Sequence, residues 1–398
     1  MTIQGPRDFE LDRDRAQPLT YTITWPDASP AAGLVLVIGG CGGEGETSEG
    51  KSRNTREHIA AACGLAAVTV DYHCIQTRTW NGGSVHIDAR EHYALIGMAA
   101  VAGLAVENPT DLDSLTRALG QSGQRVTAYA KIRPGRGEYQ NFGIIQAMDH
   151  LAVIGHLLEQ GAAFDRTRIF ALGGSHGGYI AQLIAKLAPG VLAGIVDNSG
   201  YTQPPVSYLG IGSRAEFLHN YNGVTFICHV DGAWSYNQRQ DPGFYDRNRD
   251  LIRDVAYLPH LQIMAGAAEH SALAVSMVNC AYDELVPPDD KQRQAARLNA
   301  VGVQTRLQLV RENDIDGVLF KKYVHALELS FKRLFVRDFA WLEAAGAHGS
   351  GRWGGSVEYP CVDVGYRFNL TNCAPYVTGE VFDLFARDAS DRTQPHAA

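Results

Sequence analysis

A chain of 398 residues, 45% hydrophobic and 20% charged, is long enough to bury a large core in one or two domains and reads as a soluble globular protein. A formal net charge of -8 excludes the basic footprint that nucleic acid or an anionic membrane would select. The longest apolar run, Tyr93 to Val106, is shorter than the ~20 residues of a membrane span, and Met1 to Arg15 hold no apolar signal-peptide core.

Seven cysteines, odd in number and without a C-x-x-C spacing, argue against a disulfide framework or a structural zinc site. A cytoplasmic protein with reduced thiols is expected.

Residues Leu19 to Trp25 alternate as an early strand, and Pro26 to Pro30 make a turn. Leu34-Val35-Leu36-Val37-Ile38 is a continuous apolar run, the pattern of a strand buried on both faces. It leads into Gly39-Gly40-Cys41-Gly42-Gly43-Glu44-Gly45. Glycine loses the most entropy on ordering, so such a loop serves to bring backbone N–H groups close to something. A P-loop would need Gly-Lys-Ser/Thr at its end, where this chain has Gly45-Glu46-Thr47. A dinucleotide loop is matched literally by Gly40, Gly42 and Gly45, but Glu44 and Glu46 would repel a pyrophosphate. The favoured reading is an oxyanion-hole loop of the HGGG type, after a central strand and upstream of a nucleophile.

Ser52 to Cys63 predicts a helix closed by Gly64, and Ala66 to Tyr72 the next strand, a βαβ unit with parallel pairing. Between His73 and Glu138 no strong strand stands out. Helix-like runs over 89–106 and 112–119, and a loop holding Arg133 and Arg136, predict an insertion over the carboxyl edge of the sheet. It serves either as a pocket-shaping cap or as helical decoration. Arg133 and Arg136 are either ligands for a substrate carboxylate or solvated loop charges. Over Tyr139 to Gln160, residues Phe142, Ile145, Met148, Leu151, Ile154 and Leu158 recur at helical spacing.

Next comes Ile169-Phe170-Ala171-Leu172-Gly173-Gly174-Ser175-His176-Gly177-Gly178-Tyr179, an apolar strand that breaks through glycines into a helical pattern. Its core fits G-x-S-x-G, a strained strand-to-helix corner that lifts a serine hydroxyl above the sheet. Gly173, Gly177 and Gly178 are the expected clearance for the helix crossing back over the strand. The motif alone is weak in a chain with 42 glycines, and the alternative for Ser175 is a polar residue in a tight turn. The strand before it and the helical Ile180, Leu183, Ile184 and Leu187 after it favour a nucleophile.

Leu192 to Asp197 predicts a further strand, whose end, Asp197-Asn198-Ser199-Gly200, lies where open α/β sheets place ligands. Tyr201 to His270 is a second insertion, aromatic-rich and irregular; its aromatics either line a pocket or form the insertion's own core. Ala274 to Cys280 is strand-like and runs into Tyr282-Asp283-Glu284-Leu285-Val286-Pro287. A helix over Asp289 to Ala300, a last sheet strand over Val303 to Val310, a segment Lys322-Tyr323-Val324-His325, and then an amphipathic helix to about Leu342 follow. Gly346 to Ala398 is a glycine-rich extension with strand-like pieces over Val362 to Phe368 and a polar, frayed end.

A serine hydroxyl needs a base within hydrogen-bond reach, and the base needs a carboxylate to fix its tautomer. Asp283, directly after a buried strand, and His325, past the last strand, fit the chain order Ser, acid, His. The rival acid is Asp197; Glu284, Asp289 and Asp290 read as solvated helix-entry charges. His348 and His396 lie in the tail and His270 is out of order. His176 offers its backbone N–H to an oxyanion, joined by Gly40, Cys41 and Gly42. Cys41 as a thiol nucleophile has no supporting motif. Tyr72 and Tyr179 are the candidate substrate-binding residues, and no metal-type spacing stands out.

These segments resemble the α/β-hydrolase superfamily, and Gly173 to Gly178 with Tyr282 to Pro287 are similar to the prolyl-oligopeptidase-like and acylaminoacyl-peptidase-like serine hydrolases and their esterase relatives. The resemblance covers 31–73, 139–200 and 274–342. It implies one α/β-hydrolase domain over 1–398, with a mostly parallel sheet, helices on both faces, cap insertions at 74–138 and 201–270, and an extension at 346–398. It implies Ser175 as nucleophile, Asp283 as acid and His325 as base. The departures are the long Ser175–Asp283 separation, the long His loop, and Ala326 in place of the frequent glycine after His325. Only about thirty residues precede the first core strand, too few for a propeller, which favours an esterase over a peptidase.

The expected activity is ester hydrolysis without cofactor or metal. Peptidase or amidase action with the same residues, a catalytically silent scaffold, and a nucleotide-binding protein using the Gly39–Gly45 loop are the alternatives. The expected partner is a small-molecule or short-peptide substrate, with no nucleic acid and no membrane; a homo-oligomer is left open.

Overall fold

In the first of two compact units, eight strands form one sheet: β1 Thr2–Ile3, β2 Leu19–Thr24, β3 Leu34–Ile38, β4 Ala66–Asp71, β5 Ile169–Gly174, β6 Gly194–Asn198, β7 Ala274–Cys280 and β8 Gln304–Val310. The computed structural model describes residues 1–15, 17–42, 51–211 and 215–386. Gly43 to Glu46 of the glycine-rich loop, His396 and the expected frayed end therefore lie outside the described residues. The first unit comprises residues 1–75, 141–204 and the chain from Tyr245 onward; the second comprises 76–140 and 205–244.

The spatial order is β1-β2-β4-β3-β5-β6-β7-β8. β2 runs antiparallel to β4 and to β1. The remaining neighbours pair in parallel. The central strands are buried at every position, which is why they read as unbroken apolar runs. Val35, Val37, Phe170, Leu172, Val196 and Val278 meet Leu334, Phe335 and Leu342 of the helix Phe331–Ala344 on one face. The opposite face holds Leu34, Leu36 and Ile38, so it too is covered. This is the mostly parallel, two-sided sheet that the resemblance implies.

Helix Ile144–Glu159 starts later than its periodicity suggests. Phe142 (φ 52°) and Gly143 (φ 119°) are not helical, and the Gly143 N–H donates to Gln146 Oε1 at 2.7 Å to cap the true start. Phe142 thus belongs to the loop.

The two insertions form one second unit, and both contribute strands to one sheet. Ser84–His86, Val126–Arg133, Val224–Val230 and Phe217–Tyr221 lie side by side in that order. Val126–Arg133 is a strand where none was expected. It buries Val126, Ala128, Ala130 and Ile132 and exposes the residues between them. Phe217–Tyr221 and Val224–Val230 form a hairpin through Asn222 (φ 49°) and Gly223 (φ 83°), the left-handed pair that a tight hairpin turn requires. Leu95, Ala99, Leu115, Leu119 and Phe226 fill its core. The second insertion ends earlier than read: residues after Phe244 return to the first unit as the helices Arg247–Arg253 and Leu258–Ala267.

Residues 355–383 add a three-stranded antiparallel sheet to the first unit. Among the described residues, no helix is long and apolar enough to cross a membrane.

Candidate active site

The corner between β5 and helix His176–Leu187 puts Ser175 at φ 53°, ψ -121°, a conformation that costs a non-glycine residue about 1–3 kcal/mol. A Cβ on Gly173 would lie 2.2 Å from the Gly177 backbone, and one on Gly177 would lie 2.3 Å from the Ile38 carbonyl oxygen. Gly178 is closed off in the same way by the Asp197 carboxylate. The helix therefore crosses its own strand at backbone contact, as the three glycines imply. Gly177→Ala is expected to cost about 3 kcal/mol or more by overpacking, read as a lowered urea midpoint. An unchanged midpoint contradicts the close crossing.

Asp283 follows β7 with its side chain fully buried. Its Oδ1 accepts the Leu285 and Val286 N–H groups at 3.0 and 2.9 Å, which fixes the carboxylate plane. His325 Nδ1 stands 2.9 and 3.0 Å from the two Asp283 oxygens. An ionised carboxylate only accepts, so the imidazole carries its proton on Nδ1 and donates it there. Nε2 then accepts the Ser175 hydroxyl, with Oγ at 2.9 Å. Three side chains from the segments that follow β5, β7 and β8 thus form one hydrogen-bonded chain, with His325 partly exposed and Asp283 sealed.

His325 stands before the last helix, in the segment that leads into it. His325–Glu328 is a short turn in which Ala326, Leu327 and Glu328 have φ 59°, 57° and 42°, and the helix starts at Phe331. Glycine would take the first of these positions without strain; Ala326 bears it.

The rival acid Asp197 is engaged elsewhere. Its Oδ2 accepts Lys291 Nζ at 2.7 Å with both side chains fully buried, and its Oδ1 accepts the Gly200 N–H at 2.7 Å. Glu284 and Asp289 are exposed, Asp290 pairs with Arg293, and His270 is exposed. His348 Nδ1 bonds the Gly346 carbonyl. In the second unit Arg133 pairs with Asp231 at 2.7 Å, and Arg136 lies 4.0 Å from Glu138.

A Cβ on Gly40 would lie 3.8 Å from Ser175 Cβ and 3.2 Å from the Gly174 carbonyl oxygen, so the loop carrying Gly40, Cys41 and Gly42 borders Ser175. His176 opens its helix, which leaves its N–H without an intrahelical acceptor beside Ser175.

Tyr72 and Tyr179 are both fully buried. The Tyr72 hydroxyl donates to the Gly39 carbonyl at 2.8 Å, with the Gly40 carbonyl at 3.2 Å, and so tethers the start of the glycine-rich loop. The Tyr179 hydroxyl donates to the Arg253 carbonyl at 2.8 Å. Their phenols are used inside the protein, so the substrate-contact role expected of them gives way to a supporting one.

The His176 ring is buried against Phe142, centroids 4.4 Å apart, and against Tyr72. Burial, and the nearby His150, push its pKa down to about 3. Burial pushes that of His150 down to about 4, although its Nδ1–H donates to the Gln146 carbonyl. Both folded values lie below the unfolded value, so the unfolded chain binds more protons in acid. The stability these neutral rings contribute is complete above pH ~6.5 and is lost as the pH falls through ~4 towards ~3. His150 alone accounts for a loss on the order of 3 kcal/mol. Urea midpoints at pH 7 and pH 4 are expected to differ in that direction, and less so in His150→Leu. Equal loss in the variant contradicts this assignment.

An open sheet with an antiparallel second strand, a strand-to-helix corner at a serine after β5, an aspartate after β7 and a histidine after β8 make this the α/β-hydrolase fold. Residues 1–374 match the family described as "Protein of unknown function (DUF2920)", and the chain belongs to that family. Comparison with curated proteins gives no match.

Solved structures with similarity include an acylaminoacyl peptidase of Pyrococcus horikoshii, at 12% identity and TM-score 0.44, covering 89% of this chain and 42% of that one. Est1E of Butyrivibrio proteoclasticus with bound ferulic acid matches at 13% identity and TM-score 0.42, covering 82% and 96%. A monoacylglycerol lipase of Paleococcus ferrophilus matches at 16% and 0.40, covering 82% and 99%. The chain thus spans less than half the length of the peptidase.

Proposed function

We propose that this protein is a serine hydrolase that cleaves a carboxylic ester through an acyl-enzyme. The observation that carries the reading is the unbroken hydrogen-bonded chain from Ser175 Oγ through His325 to buried Asp283, with Ser175 on a strained elbow. In this mechanism Ser175 Oγ attacks the ester carbonyl while His325 Nε2 takes its proton. Asp283 holds the ring and stabilises the imidazolium. The backbone N–H of His176 and the loop through Gly40, Cys41 and Gly42 face the developing oxyanion, each donor being worth roughly 2.7–4 kcal/mol. His325 then returns the proton to the departing alkoxide. Water, activated by the same histidine, releases the acid. Every proton has a donor and an acceptor among these groups, so the cycle needs no cofactor.

An ester is preferred as substrate because its alkoxide leaves with less help than an amine, which this His must protonate fully before departure. Matched p-nitrophenyl esters and p-nitroanilides of one acyl series test this. The expected result is a far larger kcat/KM for the esters at every chain length. Equal or faster anilide cleavage transfers the same triad to a peptidase or amidase. A cytoplasmic location is part of the proposal. It is supported by the absence of disulfides at all seven cysteines, which lie among the described residues.

A further inference from the structure

Asn198 ends β6, between the strand that carries the nucleophile and the strand that leads to the acid. It is 1% exposed. Its backbone carbonyl accepts the Ser175 N–H at 2.8 Å. Its side-chain Nδ2 donates to the carbonyl of Ala326, the residue after the base, at 3.0 Å. One residue therefore holds the backbone of Ser175 and that of the residue after His325, through two different groups.

The space for it is built. A Cβ on Gly174 would lie 3.6 Å from Asn198 Nδ2 and 2.5 Å from the Phe331 ring, so the bare Gly174 admits both the amide and the ring that starts the last helix. The need for it is visible too. Ala326, Leu327 and Glu328 are three consecutive left-handed residues, none of them glycine, an arrangement that persists only where surroundings impose it. Leu327, fully buried, anchors the turn on its apolar side, and its carbonyl accepts the Lys321 and Lys322 N–H groups. The Asn198 amide anchors it on the side of the nucleophile.

We infer that Asn198 is a positioning residue that sets the His325 imidazole at hydrogen-bond distance from Ser175 by pinning the strained turn behind it. The inference rests on the serine-hydrolase reading. It adds a fourth side chain, outside the reacting atoms, without which the base swings away from the hydroxyl. Asn198→Asp has the same shape, and once its carboxyl ionises it can no longer donate to the Ala326 carbonyl. It also puts a negative charge beside the His325 turn, which favours the imidazolium.

The test compares wild type, Asn198→Ala and Asn198→Asp for p-nitrophenyl acetate turnover across pH and for the rate of inactivation by a small fluorophosphonate, with thermal melts of each. Both variants are expected to lose roughly 10–100-fold in kcat and in inactivation rate with KM little changed, as for a loss of near-attack geometry. In Asn198→Asp the acidic limb of kcat should also move to higher pH, a change that a general loosening of the core would not produce. Wild-type rates in either folded variant overturn the inference, as does an Asn198→Asp profile whose acidic limb stays in place. If Asn198→Ala fails to fold, Asn198→Asp decides alone. A wild type inert to both probes defeats the serine-hydrolase reading itself, and the inference with it.

Discussion

Ser175→Ala is expected to lower ester turnover by about 10⁶-fold while the protein stays folded. The hydroxyl is the only atom removed, and in the structure it serves one contact, the acceptance by His325 Nε2 at 2.9 Å. No other described nucleophile stands in that position. What survives is the rate supplied by the oxyanion donors and by binding alone. The corner itself does not depend on the hydroxyl, since the Ser175 N–H is held by the Asn198 carbonyl and the Ser175 carbonyl by the Tyr179 N–H at 3.2 Å. The melting temperature should therefore match that of the wild type. Turnover within tenfold of wild type would remove Ser175 from the chemistry.

Asp283→Asn is expected to cost about 10⁴-fold in kcat, with KM nearly unchanged. The argument is one of tautomers. The buried Oδ1 accepts two backbone N–H groups, so an asparagine must keep its oxygen there and turn its amide N–H₂ towards His325. Facing a donor, Nδ1 has to accept, and the ring proton moves to Nε2. The base then presents a hydrogen to Ser175 where it must present a lone pair. Burial makes this worse, because water does not reach Asp283 to offer an alternative partner. Progress curves with p-nitrophenyl acetate check it; a loss below tenfold would mean that Asp283 is not the orienting acid.

The chain makes its central sheet easy to read because parallel strands covered on both faces must be apolar at every position. Leu34–Ile38 and Ala274–Cys280 are found residue for residue in the structure. The corner at Ser175 is legible for a related reason: backbone contact at the helix crossing forces glycine at 173 and 177, and few other arrangements demand it. Asp283 and His325 follow from chain order once the corner is recognised.

What was not legible is non-local or left-handed. The second unit's sheet joins segments on either side of Ser175 in the sequence, so neither insertion shows its partner. Val126–Arg133 carries a period-two pattern, but two of its inward residues are alanine and the signal is faint. Asn222-Gly223 between alternating residues was a hairpin signal in plain view, masked by the reading of the insertion as irregular. Tyr72 and Tyr179 stand near the corner in sequence, yet nothing local tells whether a phenol points to solvent or to a buried carbonyl. Asn198 is equally silent, because its role depends on a turn that lies far along the chain and on backbone angles that Ala326 does not advertise.

The most direct test of the account is covalent. The full-length protein is treated with a small fluorophosphonate, and the adduct is mapped by peptide mass spectrometry in the wild type and in His325→Ala. The account predicts stoichiometric modification of the wild type, confined to the peptide that carries Ser175, and none in His325→Ala over the same time. A folded wild type that takes up no label, or takes it up at another residue, contradicts it.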